Sequence, residues 1–134
     1  MSKLQIDSIR KSFGSKVILQ DVYLSCESGE IVGLLGRNGT GKSTIFKIAF
    51  GLMEAESSFV KIGENVIRSQ AQRKGKLAYL PQNSFLPRNI KVKQLLSLFC
   101  TSANALLLED HPFIKPFLNS KPRELSGGEQ RIIE

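Results

Sequence analysis

The sequence predicts an α/β fold, on three observations taken in chain order. Ile31-Val32-Gly33-Leu34-Leu35 is an apolar run without polar alternation, the pattern of a strand covered on both faces. A glycine-rich stretch follows it directly. Ile45, Ile48, Ala49 and Leu52 then recur at i, i+3, i+4 and i+7, which predicts an amphipathic helix ending near Gly51. Strand, glycine-rich loop and helix in that order form a unit of α/β architecture.

The flanking elements complete the pattern. Leu4 and Ile6, Val17 to Leu19, and Val22 with Leu24 read as three short strands, interrupted at Phe13-Gly14 and at Gln20-Asp21. Ser28-Gly29-Glu30 is a turn. Phe59 to Ile67 reads as a hairpin turning at Gly63-Glu64-Asn65, and Leu77 to Leu80 as a short strand closed by Pro81. Val92 to Leu108 reads as one helix with Leu95, Leu96 and Phe99 on a single face. Pro112, Pro116 and Pro122 impose an irregular stretch before a last helix that starts near Ser126.

The chain has 134 residues, enough for one compact domain and too few for two ordinary ones. Hydrophobic residues at 41% and charged residues at 23% argue for a packed core and against disorder. No apolar run approaches the roughly 18 residues of a membrane span. Met1 to Asp7 carries polar and acidic residues where a secretion signal needs an unbroken apolar stretch, so the expected location is the cytoplasm. Cys26 and Cys100 lack CxxC spacing or a histidine cluster and read as reduced core thiols. The formal net charge is +7, and the densest basic stretch is Arg68, Arg73, Lys74 and Lys76. With no interleaved aromatics, that stretch reads as a solvated loop, and a nucleic-acid partner is not expected.

Gly36-Arg37-Asn38-Gly39-Thr40-Gly41-Lys42-Ser43 fits the spacing GxxxxGK[ST]. Glycines at 36, 39 and 41 let the backbone wrap tightly, so that successive N–H groups converge on an anion. The helix that begins here adds unpaired N–H donors and a partial positive charge. In such a loop Lys42 reaches the β- and γ-phosphates, the Ser43 hydroxyl holds Mg²⁺ and Thr44 touches the α-phosphate. The motif predicts nucleotide binding without separating an ATPase from a GTPase or a small-molecule kinase.

The second motif is Leu125-Ser126-Gly127-Gly128-Glu129-Gln130. Ser126 and Glu129 have capping-box spacing, and two glycines at the start of the helix leave its N–H groups bare for an incoming phosphate. Together with the phosphate loop, this segment is similar to the signature of the nucleotide-binding domain of the ATP-binding cassette (ABC) family. The resemblance implies a P-loop NTPase (RecA-like) core with an N-terminal antiparallel β subdomain and a small helical subdomain. The expected boundaries are residues 1–82 for the β subdomain and core, and 83–134 for the helical part. It implies ATP and Mg²⁺ as ligands, with the signature of one copy meeting ATP held by a second copy in a head-to-tail dimer. Gln82, after the strand Leu77 to Leu80, resembles the family's Q-loop glutamine, which touches Mg²⁺ and the attacking water and links the site to membrane-spanning subunits. Phe13 stands where the family places an aromatic that stacks on adenine, although tyrosine is more usual there. Phe85, Leu86 and Pro87 are candidates either for the groove that meets the membrane subunits or for ordinary core.

In the family, the strand with the Mg²⁺-binding aspartate, the catalytic glutamate and the switch histidine follow the signature helix. These residues have no counterpart here, so the resemblance implies a cassette incomplete on its C-terminal side, which binds nucleotide without efficient turnover. Ala105-Leu106-Leu107-Leu108-Glu109-Asp110, with His111 after it, imitates the missing strand but precedes the signature and reads as a helix end. The implied function is the ATP-binding subunit of an ABC transporter, on the cytoplasmic face of a membrane. The alternative is a soluble ABC-family ATPase acting on the ribosome or nucleic acid. Taken alone, residues 1–134 are expected to expose apolar strand edges and to associate.

Overall fold

The computed structural model describes residues 3–69, 71–73 and 75–134. It divides into two compact units, Met1–Tyr79 and Leu80–Glu134.

The first unit is built on a four-stranded antiparallel sheet in the order β2-β1-β3-β4. Its strands are β1 (Lys3–Phe13), β2 (Lys16–Glu27), β3 (Ser57–Ile62) and β4 (Asn65–Val66). The three short strands read at the N-terminus are two long ones. The interruption at Gln20-Asp21 is absorbed as an irregularity within β2, where Asp21 takes a left-handed φ of 52°. Ser8 in β1 does the same at 54°, and the pairing register shifts on both sides of Ile9, which lies opposite Val22. The burial pattern explains these bulges. Side chains three positions apart on a regular strand point to opposite faces, yet Ile6 and Ile9 are both buried. One extra residue in each strand returns Ile9 and Val22 to the core face.

Helix α1 (Lys42–Phe50) lays Ile45, Ile48 and Ala49 on that face. They form one core with Ile6, Ile9, Leu19, Val60 and Ile67. Gly51 ends the helix in a left-handed conformation, its N–H bonding to the Ile48 carbonyl while the Leu52 N–H reaches the Lys47 carbonyl, a Schellman arrangement. Leu52 therefore lies beyond the helix and is half exposed, not on its buried face. The hairpin forms as expected, with Lys61 opposite Val66 and Gly63 at a positive φ of 57°.

Two strands expected from the apolar pattern are not formed. Residues 30–37 and 77–80 have no ladder hydrogen bonds, and Ile31 and Leu35 are 98% and 93% exposed. A parallel strand exists only through hydrogen bonds to its neighbours. Among the described residues the sheet holds β2-β1-β3-β4 alone, so these runs stay extended without a ladder.

The basic stretch is also not simply solvated. The Arg73 Nε donates to the Ala49 carbonyl at 2.9 Å and its guanidinium lies against Gly51, covering the negative end of α1. Burial pulls its pKa down from the usual arginine value. Arg68 is exposed, and Lys74 lies outside the described residues.

The second unit is helical. The expected helix from Val92 to Leu108 is two, α2 (Val92–Phe99) and α3 (Ser102–Glu109). Cys100 is extended between them, and the Thr101 side chain accepts the Asn104 N–H, capping α3. A threonine offering its own cap competes with helix continuation. Leu95 and Leu96 are buried as expected, whereas Phe99 is 70% exposed. The Ser120 and Leu118 carbonyls accept the first N–H groups of α2, at 3.0 Å each. Two short 3-10 turns, Lys115–Phe117 and Pro122–Glu124, lead into α4 (Gly127–Ile133). The core consists of Val92, Leu96, Ala105 and Ile114, flanked by Cys100, Phe117, Leu125 and Ile133. Of the two thiols only Cys100 joins a core; Cys26 sits at the end of β2, its Sγ 3.5 Å from the Glu30 carbonyl.

Ile9 is fully buried through the paired bulge. Ile9→Ala is expected to lower stability by about 2–5 kcal/mol, read as a shift in the denaturant midpoint at unchanged slope.

Candidate functional site

The glycine loop is seated on β2. Gly41 is the residue before α1, held at φ 96° and ψ 4°. A Cβ there would lie 2.6 Å from Leu19 Cδ2 and 2.9 Å from Ile18 Cγ2, so only a bare α-carbon fits against the strand. The start of α1 has no side-chain cap and no acidic residue in its first turn. Its first N–H groups and the positive end of its dipole are therefore open to an anion. The Lys42 Nζ folds back over the loop and donates to the Gly36 and Arg37 carbonyls, 2.7 Å each. The Thr40 hydroxyl also donates to the Arg37 carbonyl, at 2.9 Å. Gly36 to Thr40 and Ser43 are exposed, and Thr44 is half-buried. The arrangement concentrates one ammonium, backbone donors and a free hydroxyl on one small surface.

Phe13 stands at the end of β1, half exposed, with the Lys11 ammonium 5.3 Å from its ring centre. A free aromatic face at this point is available for stacking.

In the second unit, Ser126 and Glu129 form the expected capping box. The Ser126 N–H donates to Glu129 Oε2 at 2.6 Å, and its Oγ accepts the Glu129 N–H at 3.3 Å. The Ser126 side chain first, and its backbone N–H second, hold the Glu129 carboxyl below its ordinary pKa. Gln130 Nε2 donates to the Pro122 and Leu125 carbonyls, both at 2.9 Å, tying the helix to the turn before it. Leu125 packs on the core. Gly127 and Gly128 are exposed, and a Cβ on either would meet nothing within 4 Å. Nothing in the surrounding fold requires glycine at these two positions.

Gln82 is exposed in an irregular segment, and no strand precedes it. Its carbonyl accepts from Arg131 Nη2 at 2.6 Å, and the Pro81 carbonyl accepts from the same nitrogen. Arg131 Nη1 pairs with the carboxylate of Glu134, whose Oε1 accepts the Phe85 N–H at 3.0 Å. Arg131 belongs to no motif of the sequence. Its one signal is the Arg131–Glu134 spacing of i, i+3, which places opposite charges on one helix face.

Phe85 is half exposed, while Leu86 and Pro87 are partly buried. A mainly apolar cavity of about 320 Å³ lies between Phe85, Leu86, Leu95, Leu96, Ile114 and Ile133. The acidic pair at the end of α3 forms ion pairs: Glu109 bonds Lys93 and Asp110 bonds Lys115, each at 3.1 Å. Among the described residues no cluster of three or more acidic, histidine or cysteine side chains could hold a metal. The phosphate loop and Phe13 thus lie in the first unit, and Gln82 and the 125–130 segment in the second.

Gly41→Ala is expected to strain the left-handed backbone and to collide with Leu19, lowering the stability of the first unit by about 1–3 kcal/mol in chemical denaturation. A second expectation concerns pH. Because the folded pKa of Glu129 is depressed, its contribution is fully present above the unfolded value and is lost as pH falls through the folded one. Amide exchange in α4, corrected for intrinsic rates, should therefore accelerate on acidification below about pH 4, and Glu129→Gln should flatten that dependence.

A family model described as "ABC transporter" matches residues 19–134. The uncharacterized ABC transporter ATP-binding protein MJ1023 of Methanocaldococcus jannaschii is 32% identical over 98% of this chain and 50% of its own length. The sn-glycerol-3-phosphate import ATP-binding protein UgpC of Brucella abortus is 31% identical over 99% of this chain and 41% of its own. The lipopolysaccharide export system ATP-binding protein LptB of Escherichia coli is 30% identical over the whole of this chain and 61% of its own. The chain thus spans about half the length of these relatives. A solved ATP-binding subunit of an ABC transporter superposes with a TM-score of 0.77 at 25% identity, over 97% of this chain and 59% of that one. A second, the ATP-binding cassette MJ1267, superposes at 0.76 with 22% identity over the whole of this chain and 63% of its own, which speaks for the fold alone. With its phosphate-type loop at the mouth of α1 and its capped Ser-Gly-Gly helix, the chain belongs to the ABC transporter ATP-binding family.

Proposed function

We propose that this chain binds ATP and serves as the nucleotide-binding part of an ABC transporter, coupling nucleotide binding to transport across a membrane. The observation that carries this reading is the loop at α1: a helix start with no cap or acid of its own, seated through Gly41, with the Lys42 ammonium beside it. Residues 36–44 would hold the phosphates, and Phe13 would stack on the base. A nucleotide brings Mg²⁺ with it, and the exposed Ser43 hydroxyl suits that ion, which keeps most of its ligands as phosphate oxygens and water. Bound there, the ion would neutralise phosphate charge. Gln82 is the second oxygen donor proposed for it.

Ser126, Gly127 and Gly128 are exposed and unobstructed, which suits a contact with nucleotide on a second copy in a head-to-tail dimer. The capped start of α4 would meet the phosphate tail through backbone N–H groups. Membrane-spanning subunits are the proposed partners, with Phe85, Leu86 and Pro87 at the contact. Among the described residues no helix is long and apolar enough to cross a membrane itself. The relatives include one named for import and one for export, so the reading commits to energy coupling and not to a cargo or direction.

Titration with fluorescent ADP and ATP should give saturable binding. Lys42→Ala should weaken it about 10- to 100-fold or more, the size of a lost charged hydrogen bond. Absence of saturation in the parent chain, or undiminished affinity in the variant, would overturn the reading.

A further inference from the structure

We propose that Arg131 is a positioning residue for Gln82, clasping the Gln82 segment to helix α4 so that the two move as one body. The segment has no regular structure of its own. Among the described residues, the hydrogen bonds to the backbone of residues 81–85 come from two side chains only. Arg131 binds the Pro81 and Gln82 carbonyls, and Glu134 accepts the Phe85 N–H. Arg131 and Glu134 also bond each other, and the Glu134 side chain is fully covered. A planar guanidinium serves three acceptors at once here, two carbonyls and a carboxylate, a geometry that the ammonium of lysine does not reproduce.

The other end of α4 is equally fixed. Ser126 caps it, and Gln130 binds the Pro122 and Leu125 carbonyls. Between Gly127 and Arg131 there is little more than one rigid helical turn. A displacement of the glycine end is therefore carried to Gln82 by a short, hydrogen-bonded path. That Gln82 serves the nucleotide of its own copy and the glycine end that of a second copy rests on the function proposed above; the clasp itself does not.

The test is ¹⁵N relaxation and amide exchange on the full chain, comparing the parent with Arg131→Met, Arg131→Lys and Glu134→Gln. In Arg131→Met the order parameter of Gln82 should fall from the rigid range near 0.85 to below about 0.6, while that of Gln130 stays rigid. Exchange of the Phe85 amide should rise about tenfold or more in Arg131→Met and in Glu134→Gln. Arg131→Lys should not restore the parent values. A Gln82 that stays rigid in Arg131→Met, or a Gln82 and Gln130 that loosen together in every variant, would overturn the clasp. Binding of fluorescent ADP, measured in parallel, separates the two proposals. A parent chain that binds no nucleotide but shows the expected relaxation overturns the function and leaves the clasp standing. Intact binding with a rigid Gln82 in Arg131→Met overturns the clasp alone.

Discussion

The bare α-carbon of Gly41 against Leu19 and Ile18 is the contact on which the first unit turns. Leu19 belongs to the core that holds Ile45 and Ile48, so the same side chain fixes both the body of α1 and its mouth. The bulges at Ser8 and Asp21 keep Ile9 and Val22 on the core face beside it. Regular alternation would turn those side chains outward and leave the helix nothing to rest on. A loop that presents N–H groups to an anion must be rigid before the anion arrives, and here the Gly41 backbone is packed directly on the Leu19 and Ile18 side chains.

The second unit reaches a similar end by other means. Its core is small, with Val92, Leu96, Ala105 and Ile114 at the centre. Order around α4 comes instead from side chains bonded to main chain: Ser126 and Glu129 at the start, Gln130 to the preceding turn, Arg131 and Glu134 to residues 81–85. Most of these groups lie at the surface or half-buried, where each bond stabilises modestly. Their value is geometric, because several such bonds on one short helix define its direction and its neighbours.

What was legible in the sequence was local. The glycine loop, the helix from Lys42 to its stop at Gly51, the hairpin at Gly63 and the capping box at Ser126 all depend on residues close in the chain, and all formed. Most of the misreadings involve partners at a distance. Ile31 to Leu35 has the composition of a buried strand, but a strand is a property of a pair, and none of the described strands lies beside it. Asp21 looked like a break because a left-handed residue inside a strand is legible only when the opposite bulge at Ser8 is known. Thr101 was hidden inside a continuous apolar period, although its hydroxyl starts a new helix. Arg73 reads as a solvated charge and Arg131 belongs to no motif, yet both direct their guanidinium groups to carbonyls far along the chain.

Gly127 and Gly128 occupy the first turn of α4 without positive φ and with empty space where a side chain would go. Each glycine in a helix costs about 0.5–1 kcal/mol relative to alanine. The local fold would thus be better served by Ala-Ala, and the segment retains a helix weaker than its surroundings permit. Thermostability and the proposed phosphate contact pull in opposite directions at these two positions. Selecting this chain for heat resistance alone would therefore favour filling them and erode the contact.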